Sequence, residues 1–490
     1  MKNKLATILF LCIPLEVVAE ETPNVVVMLV DNLGWGELSS YGSTRGVETK
    51  NLDQLAREGV RLTNFNVEPQ CTPTRSSFMT GRRALRSGTD KVVWGVPYGM
   101  VNWEITIAEK FKEQGYNTSL YGKWHLGDQK GRFPTDQGFD EWYGIANTTD
   151  ESEYSSQPGY KAILPKPQIL SARAGQDPKG VKEYNLDSRR TIDSELVEHA
   201  TNFINRNVKE NKPFFSVITF TQPHLPTLPH PDFIGKTGKG NYSDVLAEID
   251  FRAGQVIGAI EKAGIKDNTL VIWFSDNGPE WHMPYQGSSG PWRGAYFTAL
   301  EGSLRTPFIA SWPNHIKPGR VSDEIIHVVD LFASLSHVGG YKLPSDRTID
   351  SIDQWAFLKG DSEKSNRDGF IVNNGSETYA YKWENYKMHF IDQDIMPEKG
   401  RPLQIPEIYN LIDDPKEEFD LRNNATWLFP IMIGNNATWL FPIMIGKRVK
   451  FESSVSTSCD TIPFPAPFGY EPDCSKGNFN QFPVDGLRQK

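Results

Sequence analysis

Two Asp-Asn pairs and one cysteine stand out as residues able to do chemistry. Asp31-Asn32 follows the apolar run Val25–Val30, and Asp276-Asn277 follows Thr269–Phe274. Either pair alone reads as a turn or a loop cap. Together they offer four oxygen donors, two of them anionic, to a hard cation. Ca²⁺, which accepts irregular oxygen shells, is preferred over Mg²⁺. Neither Cys nor His clusters at zinc-like spacing, which sets zinc aside. Cys71-Thr72-Pro73-Thr74-Arg75 is the third element. Pro73 fits the first turn of a helix and Gly81 can end it. Such a helix start directs free N–H groups at an anion. Lys123-Trp124-His125 and Pro223-His224 end two further apolar runs.

The elements that must position these groups follow from the hydrophobic pattern. Near-continuous apolar runs at Val25–Val30, Tyr116–Tyr121, Pro213–Phe220 and Thr269–Phe274 suit buried parallel strands. Helical periodicity lies between them, at Asn51–Gly59, Ile105–Gln114, Asp193–Asn207 and Tyr242–Ala263. Alternating strands and helices predict an α/β fold with a large sheet covered on both faces. Ligands of such sheets collect beyond the carboxyl ends of the strands, where all four polar clusters fall. After about Ser345 short strand patterns at Phe370–Val372, Thr378–Trp383 and Tyr386–Ile391 predict a smaller antiparallel C-terminal domain. The expected organisation is a signal at 1–19, a catalytic domain at 20–344, the smaller domain at 345–452 and a Pro-rich tail at 453–490.

With 490 residues, 38% hydrophobic and 23% charged, the chain has an ordinary globular composition. A net charge of -9 argues against nucleic acid or an anionic membrane as the main partner. Lys2 and Lys4 precede an apolar run from Leu5 to Leu15, too short for a membrane span. We read it as a cleaved export signal, which makes the protein periplasmic or secreted. Cys459 and Cys474 then form an expected disulfide in the tail. Asn423–Gly434 and Asn435–Gly446 are identical twelve-residue copies, too few for a solenoid and read as a duplication.

The cysteine stretch, continued by Ser76-Ser77-Phe78-Met79-Thr80-Gly81, resembles the signature of type I sulfatases, in the alkaline phosphatase superfamily. Asp31-Asn32-Leu33-Gly34-Trp35-Gly36 and Ser275-Asp276-Asn277-Gly278 are similar to that family's metal segments. Gly115–Thr118 with Gly122–His125, Pro223-His224-Leu225-Pro226 and Leu300–Pro307 match further segments in the family's order. Gln70, just before the cysteine, is a mild departure. The resemblance implies a large mixed, mostly parallel sheet flanked by helices, with a smaller C-terminal antiparallel α+β domain. It implies a sulfuric ester hydrolase, arylsulfatase-like, acting on a sulfated small molecule or sulfated glycan. Cys71 would be converted by a formylglycine-generating enzyme or its equivalent to formylglycine (3-oxoalanine), whose hydrate attacks sulfur. Asp31, Asn32, Asp276, Asn277 and residue 71 would hold the divalent cation. Arg75, Lys123, His125 and His224 would hold the diol and the sulfate oxygens.

Two positions depart from the family pattern. Asn32 stands where many sulfatases have a second Asp, and one negative charge is lost. Tyr296 stands where the family places a lysine that contacts sulfate and helps protonate the leaving group. His224 is therefore expected to donate that proton, with Arg293 as a substitute charge. Two other functions fit these residues: a phosphonate monoester or phosphodiester hydrolase of the same superfamily, and a catalytically silent protein that binds sulfated glycans. Trp35, Trp94, Trp103, Trp281 and Trp292 are read as packing residues rather than as a sugar platform.

Overall fold

The structure is a computed structural model that describes residues 22–92, 99–396, 398–421, 447–448, 450–455, 460–462, 472 and 474. The signal at 1–19, Trp94, the duplication and Cys459 lie outside the described residues, while Cys474 is disulfide-bonded. No described helix is long and apolar enough to cross a membrane.

Among the described residues, twelve strands precede the C-terminal sheet. They are β1 (Asn24–Asp31), β2 (Val60–Leu62), β3 (Phe65–Asn66), β4 (Asn117–Gly122), β5 (Glu141–Gly144) and β6 (Gln168–Arg173), then β7 (Lys179–Glu183), β8 (Phe214–Pro223), β9 (Thr269–Ser275), β10 (Phe308–Ser311), β11 (Arg320–Ser322) and β12 (Ile326–His327). Ten of them form one sheet in the order β11-β2-β10-β9-β1-β8-β4-β5-β6-β7, and β3 pairs with β12 outside it. The central β9-β1-β8-β4-β5 run is parallel throughout. Strand β10 is antiparallel to both its neighbours, and β6 and β7 close the other end antiparallel.

The alternation of side chains along β1 shows why the run had to be apolar on both faces. Val25, Val27 and Leu29 pack with Phe78 and Met79 of α2 (Cys71–Thr80) and Phe111 of α3 (Ile107–Glu113). Val26, Met28 and Val30 pack on the opposite face. There they meet Leu52 of α1 (Lys50–Arg57), Leu196 of α4 (Leu186–Glu210) and Val245 of α5 (Asn241–Lys262). With period 2 and helices on both faces, neither set can be polar.

Helix α4 starts seven residues before the expected Asp193. Its first turns carry Ser188, Arg189 and Asp193, which are buried by hydrogen bonding rather than by apolar packing. Arg189 donates to the Thr221 hydroxyl and to the His224 carbonyl at 2.8 Å each. Such burial leaves no hydrophobic period to read. Strand β7 was also silent in the pattern, because this edge strand is built mostly from charged, exposed residues.

The C-terminal sheet contains β13 (Gly369–Asn374), β14 (Glu377–Trp383), β15 (Tyr386–Asp392) and β16 (Arg401–Asn410), antiparallel in that order. Strand β16 was not among the expected strands; its two prolines are tolerated because it is an edge strand. A fully buried ionic cluster ties this sheet to the segment after β9. Lys382 donates to Glu301 at 2.6 Å and to Asn64 and Asn66 at 2.8 and 2.9 Å. Lys387 bridges Glu301 and Glu417 at 3.0 and 3.1 Å, and His389 meets Glu417 at 2.6 Å. Glu417 also accepts the Glu301 backbone N–H at 2.8 Å. Asn374, at the end of β13, accepts from Gln70 at 2.5 Å and donates to the Phe297 carbonyl at 2.7 Å. Gln70 also accepts from the Val92 N–H at 3.0 Å. The C-terminal sheet thus fixes both the start of α2 and the Tyr296-Phe297 turn.

Candidate active site

The topology brings the expected residues to one place. Strands β9, β1, β8 and β4 are adjacent and parallel, and Asp276, Asp31, His224 and Lys123 lie at or just beyond their carboxyl ends. Cys71 is the first residue of α2, and Gly81 terminates that helix in the left-handed conformation at φ 66°. Thr72 donates to the His125 carbonyl at 2.9 Å, which locks the helix start to the segment after β4. Asn32, His125 and Phe297 all have positive φ, at 63°, 59° and 68°. Side-chain-bearing residues rarely adopt this region, and such strain concentrates at functional sites.

All nine expected site residues are buried. Cys71 Sγ lies 3.6 Å from both Asp31 Oδ1 and Asn32 Oδ1. A carboxylate oxygen of Asp31, Cys71 Sγ and a ring nitrogen of His224 lie within 4.8 Å of one another. Lys123 Nζ donates to the two Asp31 oxygens at 3.1 and 2.8 Å. Arg75 donates to Asp276 Oδ2 through Nε at 3.0 Å and Nη2 at 2.8 Å, and to the Lys123 carbonyl at 2.6 Å. Asn277 Nδ2 donates to Asn32 Oδ1 at 2.6 Å. His224 Nδ1 faces the Leu225 carbonyl at 2.7 Å, which assigns the Nδ1 proton and leaves Nε2 for other partners.

The charges set one another. Burial opposes ionisation of Asp31, but Lys123, His224 and Arg75 overcome it and hold its carboxyl well below the ordinary range. Burial, and then the charge of Asp31, pushes Asp276 up. Burial and Asp276 push the Cys71 thiol well up, so it stays protonated. Burial, Lys123 and Arg75 push His125 well down, so its ring is neutral.

Several buried polar atoms have no partner. They include both ring nitrogens of His125 and Asn277 Oδ1. Unpaired buried atoms occur elsewhere in the protein, such as Trp273 Nε1 and Gln354 Nε2, but those of His125 and Asn277 belong to residues gathered beside Cys71, where a bound group would satisfy them. The donor set around Asp31, Asn32, Asp276 and Asn277 is all oxygen, which fits a hard divalent cation. The unpartnered imidazole of His125 fits an anion beside Cys71.

Three residues absent from the sequence reading also belong to the site. Thr149 donates to Asp31 Oδ2 at 2.8 Å. Glu280 accepts from Asn32 Nδ2 at 2.8 Å and so orients the amide that stands in place of an acid. His282 Nδ1 lies 3.6 Å from Glu280 Oε2. Glu280 follows Asn277 by three residues, and that proximity was the one available signal. Arg293 does not line the cavity beside Cys71; it faces Asp394 at 3.7 Å. The substitute charge expected of it is therefore not at the site. Tyr296 does line the cavity, and burial followed by the charge of Glu280 pushes its phenol far up, so it is neutral. Trp35 and Trp292 pack edge to face, as expected of packing residues.

The sequence profile described as Sulfatase matches residues 23–341. The chain is 31% identical over 392 residues to N-acetylgalactosamine-6-sulfatase of Canis lupus familiaris, covering 76% of this chain and 72% of the relative. It is 30% identical over 449 residues to arylsulfatase A of Bos taurus, covering 84% and 86%. The crystal structure of the PsFucS1 sulfatase from Pseudoalteromonas sp. superposes with a TM-score of 0.79 at 31% identity, over 88% of this chain and 91% of that one. By sequence profile, relatives and fold, the chain belongs to the sulfatase family of sulfate ester hydrolases.

Proposed function

We propose that the protein hydrolyses a sulfate monoester at the cavity beside Cys71, after conversion of that cysteine to formylglycine and with one divalent cation bound. The observation that carries this reading is the set of unpartnered buried atoms, His125 Nδ1 and Nε2 with Asn277 Oδ1, next to a cysteine at a helix start. Asp31, Asn32, Asp276 and Asn277 would hold the cation, Ca²⁺ in preference to Mg²⁺. When present, the modified residue supplies a nucleophilic hydroxyl and the cation neutralises sulfate charge.

The other residues have roles that follow from their bonds. Arg75 pins Asp276 and the Lys123 carbonyl in one geometry. Lys123 keeps Asp31 ionised as an oxygen donor and adds positive charge behind the sulfate. His125, neutral and unpartnered, offers a hydrogen bond to an anion oxygen. His224, with Nδ1 committed to the Leu225 carbonyl, has Nε2 for proton exchange with the ester oxygen. We further propose export through a signal at 1–19, cleaved before the protein works outside the cytoplasm.

The test is mass spectrometry of the tryptic peptide Leu62–Arg75 from protein made in its own host, followed by turnover assays. The expected peptide shows the mass loss of thiol-to-aldehyde conversion, and the protein turns over sulfate esters in preference to phosphonate or phosphate esters. Chelation should abolish turnover and added Ca²⁺ restore it. An intact thiol in every copy would leave a silent glycan-binding protein, and faster phosphonate turnover would make it a phosphonate hydrolase.

A further inference from the structure

The cavity beside Cys71 has a buried end and a rim. It encloses about 200 Å³, and Cys71, His125 and His224 are its buried, reacting members. Val92, Phe297 and Met396 also line it and are partly exposed. These three apolar residues come from separate parts of the chain: the segment between α2 and α3, the segment between β9 and β10, and the connection from β15 to β16. Three side-chain amides join those segments in one chain of hydrogen bonds. The Val92 N–H donates to Gln70 Oε1 at 3.0 Å, and Gln70 Nε2 donates to Asn374 Oδ1 at 2.5 Å. Asn374 Nδ2 donates to the Phe297 carbonyl at 2.7 Å and to Gln393 Oε1 at 3.2 Å. Gln393 Nε2 donates to the Glu398 carbonyl at 2.9 Å, which closes the turn that carries Met396.

We propose that Gln70, Asn374 and Gln393 are positioning residues that set the width of this rim and so determine which leaving groups the enzyme accepts. The inference rests on the sulfate-ester hydrolase reading above. Amides suit the chain because each link must accept at one end and donate at the other. A carboxylate has no donor, and a hydroxyl is too short to span two segments. Phe297 depends on the chain most. Its φ of 68° is a conformation that persists in a side-chain-bearing residue only where its surroundings over-determine it. Two distant bonds do so. The Phe297 N–H donates to the Pro69 carbonyl at 2.7 Å, and the Phe297 carbonyl accepts from Asn374. Pro69 adjoins Gln70, so both bonds lead back to the same junction.

The reacting end is held by other bonds. Thr72 anchors the start of α2 to the His125 carbonyl, and Thr74 anchors it to the Glu68 carbonyl at 3.1 Å. Loss of the amide chain therefore loosens the rim and leaves the sulfate side in place. The cavity is also smaller than the about 300 Å³ or more that encloses a drug-sized ligand. A leaving group of two fused rings thus extends past the buried end and meets Val92, Phe297 and Met396.

The test compares p-nitrophenyl sulfate with 4-methylumbelliferyl sulfate on the matured enzyme. The two phenols are similarly acidic, and the second adds a fused ring that reaches the rim. Asn374→Leu should lower kcat/KM for the two-ring ester about tenfold more than for the one-ring ester. The loss should appear in KM rather than kcat, since rim contacts are the same in the ground and transition states. Inhibition by inorganic sulfate, which occupies only the buried end, should keep its constant. Asn374→Asp retains the acceptor for Gln70 and loses the donor to Phe297 and Gln393. It serves as the second variant should the first fold poorly, and should give the same change. Gln393→Leu cuts only the link to the Met396 turn and should give a smaller one. Equal losses on the two esters, or a sulfate inhibition constant that moves with KM, would overturn the assignment. Failure of the matured enzyme on both sulfates, with turnover of p-nitrophenyl phenylphosphonate, would instead overturn the sulfatase reading beneath it.

Discussion

Glu417→Gln is the most direct probe of how the C-terminal sheet holds the site. The wild-type carboxylate accepts from three donors through two oxygens, Lys387 Nζ at 3.1 Å, His389 Nε2 at 2.6 Å and Glu301 N at 2.8 Å. Both acidic side chains of the cluster and both lysines are 0% exposed. An amide has one acceptor oxygen, so its NH₂ must face either the Glu301 N–H or the Lys387 and His389 donors. Lys387 is then left with Glu301 alone, which already serves Lys382 and Arg305. Breaking one side of a buried ion pair costs about 3–5 kcal/mol. The assay is denaturant unfolding at pH 7, with Glu48→Gln as control, since the Glu48–Lys50 pair is 73% and 79% exposed and solvent screens it.

The pH dependence follows with a definite sign. Burial would raise Glu417, but Lys387 and His389 overcome it and lower the carboxyl in the folded state. A depressed carboxylate contributes stability above its unfolded value and loses it as pH falls through the folded value. The gap between wild type and Glu417→Gln should therefore be full at pH 7 and shrink below the model-peptide value of 4.5. If Glu417→Gln costs no more than Glu48→Gln, the cluster does not hold the sheet and the reasoning fails.

Three other outcomes are expected. His224→Gln should slow alkyl sulfates far more than activated aryl sulfates in steady-state assays, because a poor leaving group needs its proton; equal losses would remove His224 as the donor. Glu151 is pushed up to about 7 by burial, with Asp150 and Asp128 adding to it. Its contribution is full below 4.5 and lost as pH rises through about 7, so Glu151→Gln should gain on wild type by about 1–3 kcal/mol in melts at pH 8 but not at pH 5. Gly81→Ala places a Cβ 2.6 Å from the Phe332 ring at a φ of +66° and should cost about 2–4 kcal/mol of unfolding free energy. An unchanged denaturation midpoint would show that α2 does not need its left-handed terminus.

The parallel strands that carry Asp31, Lys123, His224 and Asp276 were legible because a strand buried on both faces must be apolar at every position. The polar residue that ends each run was legible for the same reason, as it marks where the chain leaves the core. Helix α2 was legible from Pro73 and Gly81, whose backbone preferences are local. Nothing local marks Arg189, Thr149 or Glu280, which are buried through bonds to residues distant in the chain. Nor did the charged segment at β7 or the proline-interrupted one at β16 announce themselves, since an edge strand is selected for what it prevents rather than for what it packs.

Gln70 and Arg293 mark the division between the two kinds of information. As a sequence departure Gln70 carried no role, yet in the fold its amide joins Asn374 to Val92 at the start of α2. Arg293 looked able to replace a missing positive charge, and the fold turns it toward Asp394 instead. The sequence by itself determined the four central strands β1, β4, β8 and β9, the order of the polar clusters and the residue types available to the site. The tertiary structure alone decided which of those residues meet, because hydrogen bonds and charges act over a few ångströms in space and leave no period along the chain.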